Sequence, residues 1–406
     1  MVPGVKGDEY PSPDSMPKVP KTVWRLGWVS LFTDVATEMS YPLLPAFLAT
    51  LGAAGVWLGW VEGVAESVGA FVKYAAGATS DRRPARKPFV VFGYTLSTLV
   101  RPLLALVVAP WQVVALRTGD RVGKGLRSAP RDALLAASAA PEARALAFGF
   151  HQMMDNVGAG IGALAAFTLS RFARASLREI FALAIVPGLM AVAVLVFGVK
   201  EEQHTSAPAA TKERVPHARL DANVTRYLVA VGVFSLGASS DAFLLLRMTR
   251  QHLAAAFLPI AWLTLNAMKA LTNVAGGRLS DRVGHKAVML AGWSLYAVVY
   301  AILPLAHTYE VTWAIMLGYG FYYGLTEGAE RALLTELAPK EQRGRAFGAL
   351  HAITGAAVLP ANAVFGFVFD RHPDVAFALG ATFAALGALA LLFVRGSTAV
   401  SAGKAA

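Results

Sequence analysis

Long apolar stretches, separated by short polar ones, run along the chain from about residue 24 onward. Twelve of them are long enough for the roughly 20 apolar residues that a membrane-spanning helix needs. Their approximate bounds are 24–50, 56–79, 89–109, 111–136, 143–170, 178–198, 223–248, 256–278, 287–307, 311–335, 343–369 and 374–395. The pattern predicts an all-α polytopic membrane protein with twelve transmembrane helices.

Three polar segments divide this pattern and predict the domain organisation. Residues 1–21 are rich in proline, serine and charge and lack the apolar core of a signal peptide, so we expect a disordered cytoplasmic tail. Residues 199–222 form the longest internal polar stretch and predict a cytoplasmic linker. This linker separates an N-terminal six-helix bundle, 22–198, from a C-terminal six-helix bundle, 223–396. We expect residues 397–406 to form a C-terminal tail.

The two halves of the chain repeat each other. "GATSDRRPARK" at 77–87 matches "GRLSDRVGHK" at 277–286, and "GLRSAPRDALL" at 125–135 matches "GLTEGAERALL" at 324–334. The matches occur in the same order and at nearly one offset, so chance similarity is a poor explanation. They indicate duplication of a six-helix unit and predict two pseudo-symmetric bundles.

Composition supports a membrane protein and excludes other classes. The chain is 56% hydrophobic and 16% charged, whereas soluble domains carry about 25% charge. The formal charge of +11 does not indicate nucleic-acid binding, because the basic residues lie mostly in short loops. Such loops stay in the cytoplasm, so we expect an inner-membrane protein with both termini inside. The chain has no cysteine, which excludes a disulfide framework and a thiolate metal site.

The paired loops also carry a motif by which the chain resembles the major facilitator superfamily of secondary transporters, over about residues 22–396. Gly-x-x-Ser-Asp-Arg follows helix 2, and Gly-Arg-Leu-Ser-Asp-Arg-x-Gly-x-Lys follows helix 8. An aspartate at such a helix end can pair with basic groups and with a helix N-terminus of the other bundle, which latches one face shut. The resemblance implies this gating role for Gly77, Asp81, Arg82, Gly277, Asp281 and Arg282.

Helix 4 contains a second feature of that family, an Arg-x-x-polar-Gly motif that reads Arg121-Val-Gly-Lys124-Gly125. Helix 5 reads "NVGAGIGAL" at 156–164 and lacks the proline found there in the family's drug–proton antiporters. The resemblance implies that helices 1, 4, 7 and 10 line a central cavity and that helices 3, 6, 9 and 12 face lipid. A bacterial subgroup of unassigned substrate is the most similar one, so the resemblance implies no substrate.

Ionisable side chains at membrane depth are costly and usually face a polar cavity. Helix 4 alone carries a charged stripe at spacings of four, three and four residues, so its charges share one face. Structural ion pairs and helix packing are the competing interpretations. As candidates for substrate binding or coupling we take Asp34, Glu38, Glu66, Arg117, Arg121, Lys124, His151, Asp155, Asp241, Lys269 and Glu327.

Charges toward the cytoplasmic ends of helices 4 and 10 predict a gate. Arg131-Asp132 aligns with Glu330-Arg331 across the repeat, which reverses the order of the charges. This reversal predicts salt bridges between the two bundles, with Arg127 as a further candidate. Glu327 and Arg331 are four residues apart and can also pair within their own helix.

The basic face of helix 4 favours an anionic or zwitterionic substrate, since guanidinium groups bind carboxylates and phosphates well. For coupling we expect a proton carried by Asp34 or Glu38, with Arg121 as the partner. The competing interpretation is a permanently ionised structural cluster held by Arg117 and Arg121. The sequence gives no account of Arg101 in helix 3, which precedes Pro102.

Other functions remain open or are disfavoured. If the carboxylates neutralise the bases, the cavity would suit cations or drugs. A divalent metal could use Asp34, Glu38, His151 and Asp155, and a lipid flippase can share the fold.

No Walker loop, HExxH or GxSxG motif is present, so we expect no ATP-driven pump, no enzyme and no cofactor. The expected partners are a small-molecule substrate, a proton and the lipid bilayer, with the protein a monomer.

Overall fold

The computed structural model describes residues 19–80, 86–140, 143–199, 220–339 and 342–395, and these ranges contain helices and no strand. The predicted tails fall almost entirely on residues 1–18 and 396–406, and the predicted linker falls mostly on 200–219. Those parts of the prediction, together with Asp81 and Arg82, lie outside the described residues.

Within the described ranges the chain forms twelve helical rods, as the apolar pattern predicts. The first rod, α1, consists of Lys21–Ser40 and Leu44–Thr50, joined by a 3-10 turn at Tyr41–Leu43. The others are α2 (Gly55–Ser80), α3 (Lys87–Leu106), α4 (Pro110–Ala137), α5 (Arg144–Arg171), α6 (Leu177–Gly198), α7 (Ala222–Arg250), α8 (Ala255–Val283), α9 (His285–Leu305), α10 (Tyr309–Leu337), α11 (Arg343–Arg371) and α12 (Pro373–Leu392).

Seven of these rods are long and apolar enough to cross a membrane by composition alone: α3, α6, α7, α8, α9, α11 and α12. The other five include α4, which carries seven charged side chains. A polar helix of this kind is stable at membrane depth only when its charged face turns toward other helices or water.

Two rods are interrupted at a similar depth, one in each half. In α1 the interruption contains Pro42, which has no N–H to donate and so breaks the helical ladder. In α7 the helix ends at Gly237 and resumes at Ala242, although no proline lies between. Interrupted membrane helices expose backbone groups that only a protein interior or a water-filled cavity can satisfy.

Packing follows the repeat. In the first half α1 packs on α5 and α2 packs on α4, while in the second half α7 packs on α11 and α8 packs on α10. The side chains of Lys87 and Lys286 occupy equivalent places: Lys87 Nζ donates to carbonyls that follow α6 or lie in its last turn, at 2.6 and 3.0 Å. Lys286 Nζ donates to carbonyls at the end of α12, at 2.5 and 3.0 Å.

The loop motif after α8 is described in full, unlike the one after α2. Gly284 has φ 101°, a conformation that favours glycine and lets the chain turn sharply from α8 into α9. Asp281 and Arg282 are exposed and make no hydrogen bond or ion pair among the described residues. Their gating role therefore stays a prediction for a different conformation.

The two faces of the bundle differ in how the halves meet. We call the face with Lys21 and Leu392 the terminal face, and the face with loops 51–54 and 251–254 the opposite face. Among the described residues, five side-chain hydrogen bonds join the halves. Along α2 the one nearest the terminal face is from Ser67 Oγ to the carbonyl of Gly355, at 3.3 Å. The halves are thus joined at the opposite face and at mid-depth.

Asp370, at the end of α11, closes the opposite face. Its carboxylate accepts hydrogen bonds from the backbone N–H groups of Gly55 and Val56, both at 2.7 Å, at the start of α2. Arg250 of α7 donates to the same carboxylate at 2.5 Å. The N-terminus of a helix attracts an anion, so Asp370 serves as a cap supplied by the other half.

The Asp370 contact predicts a measurable shift in conformation. Charge-assisted hydrogen bonds contribute roughly 1.5–3 kcal/mol, so Asp370→Ala should increase the population open at the opposite face by at least about tenfold. The chain has no cysteine, so spin labels at Ala173→Cys and His307→Cys can report the distance across that face without background.

The matched control is Asp374→Ala. Asp374 pairs with Arg247 at 2.9 Å within the second half, so its loss removes an ion pair near the same face without touching the contact between halves. The role given to Asp370 is wrong if both variants give the same distance distribution.

Candidate functional site

A polar cavity of about 220 Å³ lies at mid-depth, and most of its lining belongs to the first half. α1 and α4 line it, as the family resemblance implies, whereas no residue of α7 or α10 does so in the described part of the chain. α8 contributes one residue, and so does α3, which was expected to face lipid. The lining residues are Asp34, Thr37, Glu38, Tyr41, Arg101, Arg117, Asp120, Arg121, Lys124, Arg127 and Trp262.

Asp120 is the centre of the ion pairs in this cavity. Arg101 approaches it with Nε at 3.0 Å and Nη2 at 2.9 Å, and Arg117 Nη1 lies 3.2 Å away. Arg101 also donates to the carbonyl of Thr33 at 3.3 Å, so it ties α3 to α1 and α4. The lone arginine of helix 3, which the sequence left unexplained, is the partner of the acidic residue in the middle of α4.

The other two guanidinium pairs involve α2. Arg121 Nη2 lies 2.7 Å from Glu66 Oε1, and Arg117 Nε lies 3.8 Å from Glu62 Oε1. The predicted pairing of Arg121 with Asp34 or Glu38 is therefore wrong in this conformation. The carboxylate of Glu66, on the helix packed against α4, neutralises Arg121 instead.

Lys124 and Arg127 have no carboxylate partner among the described residues. Lys124 is exposed and makes no side-chain hydrogen bond or ion pair there. Arg127 is 5% exposed, donates from Nη1 to Ser97 Oγ at 2.7 Å and lies over the ring of Tyr94 at 4.3 Å. Both of its partners are neutral, so its positive charge is not balanced by a direct ion pair.

Asp34 and Glu38 lie one turn apart on the cavity side of α1. Glu38 Oε2 accepts a hydrogen bond at 2.7 Å from Trp262 Nε1 of α8, a contact between the two halves. Asp34 has no hydrogen bond or ion pair within the described part of the chain and is partly exposed to the cavity. The two carboxylates repel each other when both are ionised.

His151 and Asp155 of α5 form a separate cluster near α1. His151 is 4% exposed, its Nδ1 lies 3.5 Å from Asp155 Oδ1, and its Nε2 has no hydrogen-bond partner in the described ranges. Ser30 donates to the same carboxylate. Among the described residues no group of three or more histidines and carboxylates could hold a metal ion, so the four-residue metal site considered from the sequence is not assembled.

The second half contributes a compact cluster at the interruption of α7. Asp241 Oδ2 lies 2.5 Å from Lys269 Nζ, and its carboxylate also accepts from the hydroxyls of Tyr319 at 2.8 Å and Tyr323 at 3.1 Å. The ammonium of Lys269 lies 3.8 Å from the centre of the Tyr323 ring. This acid is thus fully hydrogen-bonded, unlike Asp34.

The predicted gate residues pair within their own helices. Arg131 Nη2 lies 2.8 Å from Asp132, and Arg331 Nη2 lies 3.9 Å from Glu327, the alternative that the spacing allowed. No salt bridge between bundles is formed by them in the described residues. Such bridges, including any from Glu330, stay a prediction for a conformation closed at the terminal face.

Sequence reasoning missed the aromatic and hydroxyl partners of this site. Tyr41 and Trp262 lie in edge contact with ring centres 5.1 Å apart, one from each half. Tyr319 and Tyr323 lie in "GYGFYYG" at 318–324, where three tyrosines and three glycines occur within seven residues of an apolar stretch. That density of hydroxyl groups at membrane depth was the available signal.

Comparison with known proteins gives the family. The model of the Major Facilitator Superfamily matches residues 26–268 and, in a second match, 242–405. An uncharacterized MFS-type transporter of Methanocaldococcus jannaschii is 29% identical over 384 residues, which is 92% of this chain and 95% of that protein.

Two other relatives cover different shares of the chain. An uncharacterized protein of Mycobacterium tuberculosis is 29% identical over 381 residues, 90% of this chain and 92% of that protein. A multidrug resistance protein of Proteus mirabilis is 34% identical, but over only 125 residues, 30% of this chain and 31% of its own length.

Solved structures agree on the fold. The nucleoside transporter NupG superposes with a TM-score of 0.77 at 13% identity, covering 92% of this chain and 99% of its own. A D-xylose–proton symporter superposes with a TM-score of 0.68 at 17% identity, covering 93% of this chain and 97% of its own. These likenesses establish the twelve-helix architecture.

The ion pairs of Asp120 predict a large effect on stability. Asp120→Asn leaves the buried guanidiniums of Arg101 and Arg117 without their shared carboxylate, which should lower the free energy of unfolding by about 3–5 kcal/mol. Thermal unfolding of the purified protein measures this. Asp132→Asn, at a partly exposed pair, should cost less than about 1 kcal/mol. Equal effects would show that Asp120 is not the centre of the network.

Proposed function

The chain belongs to the Major Facilitator Superfamily, and we propose that it is a proton-coupled secondary transporter of a small organic anion or zwitterion. The family and the fold are those of membrane transporters rather than enzymes. The observation that supports an anionic substrate is the pair of cavity cations, Lys124 and Arg127, that have no carboxylate partner among the described residues.

The charge balance of the site supports this assignment. Three guanidinium groups, those of Arg101, Arg117 and Arg121, are matched by the three carboxylates of Asp120, Glu62 and Glu66. This set is neutral and leaves two cations and two carboxylates facing the cavity. A substrate or a proton can bind those unmatched groups without first displacing an existing ion pair.

Asp34 and Glu38 are the unmatched carboxylates, and their protonation would change the charge that a substrate meets. With both ionised they offset Lys124 and Arg127, whereas with both protonated the cavity keeps two positive charges. Binding of protons and binding of an anion therefore favour each other, since two ligands that stabilise the same state are reciprocally linked. This linkage favours symport of the anion with protons.

Alternating access fits the contacts between the halves. The opposite face is closed by Asp370, and the described contacts thin out toward the terminal face. The lysines and arginines in the loops of the terminal face support a cytoplasmic location for that face. We propose that the bundles 22–198 and 223–396 rock about the cavity and open it to each side in turn, in a bacterial inner membrane with both termini inside.

Efflux of a drug-like cation is the second candidate. The partial similarity to a multidrug resistance protein favours it, and Asp34, which has no hydrogen-bond or ion-pair partner among the described residues, would be the group that binds the cation. The two proposals differ in the sign of the ligand, so one panel of ligands separates them.

Lys124→Gln should weaken anion binding at least about tenfold, because a charge-assisted hydrogen bond contributes roughly 1.5–3 kcal/mol. Calorimetric titration with acetate, succinate, benzoate and inorganic phosphate measures this, with tetraphenylphosphonium as the cation. Arg371→Gln, an exposed arginine outside the cavity, is the control. Anion binding that is equal in both variants contradicts the assignment, and saturable binding of tetraphenylphosphonium alone supports the cation transporter.

Anion affinity should rise as pH falls, because protonation of Asp34 and Glu38 removes negative charge from the cavity. In Asp34→Asn with Glu38→Gln the affinity should stay high and change less than about twofold over the same pH range. Glu310→Gln, an exposed carboxylate at the start of α10, should keep the wild-type pH profile. A double variant that also keeps this profile would show that the proton is carried elsewhere, with Glu66 and Asp155 the next candidates.

A further inference from the structure

Glu62 lies where the interruptions of two helices meet. The hydroxyl of Tyr41, in the 3-10 turn of α1, donates to Glu62 Oε2 at 3.0 Å. The hydroxyl of Ser240, in the interruption of α7, donates to the same oxygen at 3.0 Å. One carboxylate oxygen of α2 thus joins the interrupted helix of the first half to that of the second.

This carboxylate is buried and incompletely balanced. Glu62 is 3% exposed, and its Oε1 accepts no hydrogen bond from any residue that the structure describes. The cation nearest to it is Arg117, whose Nε lies 3.8 Å from Oε1, an ion-pair distance rather than a hydrogen bond. A buried carboxylate depends strongly on its counter-charge, since an unpaired charge in the interior is costly.

Arg117 connects Glu62 to the cavity. Its guanidinium lines the cavity and lies over the ring of Tyr41 at 4.4 Å. Its Nε and Nη2 have no hydrogen-bond acceptor among the described residues, while Nη1 is held by Asp120 at 3.2 Å. An anion in the cavity would therefore compete with Glu62 for the unsatisfied side of this guanidinium.

Ser240 connects Glu62 to the seam between the halves. Its backbone N–H donates to Asn362 Oδ1 of α11 at 2.8 Å. α11 packs along α2. The backbones at Gly59 and Asn362 lie so close together that a side chain at position 59 would clash. A change in the position of Glu62 thus acts on the helix pair that closes the opposite face.

We propose that Glu62 is a positioning residue that couples anion binding in the cavity to the contact between the halves. While Arg117 balances Glu62, the carboxylate holds Ser240 and the opposite face stays closed. An anion that engages Arg117 leaves Glu62 without its counter-charge, and opening toward water at the opposite face relieves this. The inference rests on the proposed alternating access and on an anionic substrate, but not on which anion is transported.

The test uses full-length protein without substrate. Arg117→Gln removes the counter-charge of Glu62 and so imitates an Arg117 that has bound an anion. Spin labels at Ala173→Cys and His307→Cys report the population open at the opposite face. Arg117→Gln should raise the open-to-closed ratio at least about fivefold, and by less than about twofold in a Glu62→Gln background, because coupled residues are not additive. Glutamine keeps an oxygen that can accept from both hydroxyls.

A matched pair of variants tests the hydroxyl contacts and does not depend on Arg117. Ser240→Ala and Tyr41→Phe each remove one hydroxyl that donates to the same oxygen, but only the first spans the halves. Ser240→Ala should raise the open population, with an effect at least about threefold larger than that of Tyr41→Phe. Thermal unfolding confirms that each variant is folded.

Two outcomes overturn the proposal. One is an equal shift by Arg117→Gln in both backgrounds, or no shift in either. The other is an equal effect of Ser240→Ala and Tyr41→Phe. Neither outcome bears on anion binding at Lys124, so failure of this inference is distinguishable from failure of the proposed substrate class.

Discussion

A charge at membrane depth must have a counter-charge or water, and this constraint organises the first half of the molecule. α4 carries seven charged side chains in a single helix. It is compatible with a bilayer because α2 and α3 supply Glu62, Glu66 and Arg101 to its flanks. The helices α1 and α4 then line a polar cavity instead of facing lipid. The cavity forms because the charged side chains of α4 need partners other than lipid. Its chemistry is set by the charged groups that these ion pairs leave unmatched.

The same constraint explains why much of the fold was predictable. Apolar stretches, read together with their polar interruptions, located all twelve rods with ends within five residues of the observed ones, although only seven rods are apolar enough by composition alone. The site was predictable only as a set of helices, since spacing shows which residues share a face but not which helix lies opposite. Arg121 shows this limit. The proton-coupling prediction paired it with a carboxylate of α1, but α2 packs against α4 and the carboxylate of Glu66 forms the ion pair.

The two halves satisfy their buried charges differently, although their sequences repeat each other. The first half uses ion pairs around Asp120, whereas the second surrounds a single pair, Asp241 with Lys269, by tyrosine hydroxyls and rings. Hydroxyl partners carry no charge of their own, so they satisfy Asp241 without adding another ion to be balanced. In the proposed function this division leaves the first half to bind a charged substrate, while the second half contributes the neutral indole of Trp262 to the cavity lining.

One face is closed and the other is open because interacting residues lie in different halves at the first face and within one helix at the second. At the opposite face the partners lie in different halves: Asp370 of α11 caps α2, and Ser240 of α7 binds Glu62. Toward the terminal face the charged residues of α4 and α10 pair within one helix, and Asp281 is left exposed. A transporter cannot keep both faces joined, because the substrate would have no exit. Residues paired within one helix cost little to separate when exposed, so they are available to form contacts between halves once the Asp370 cap releases.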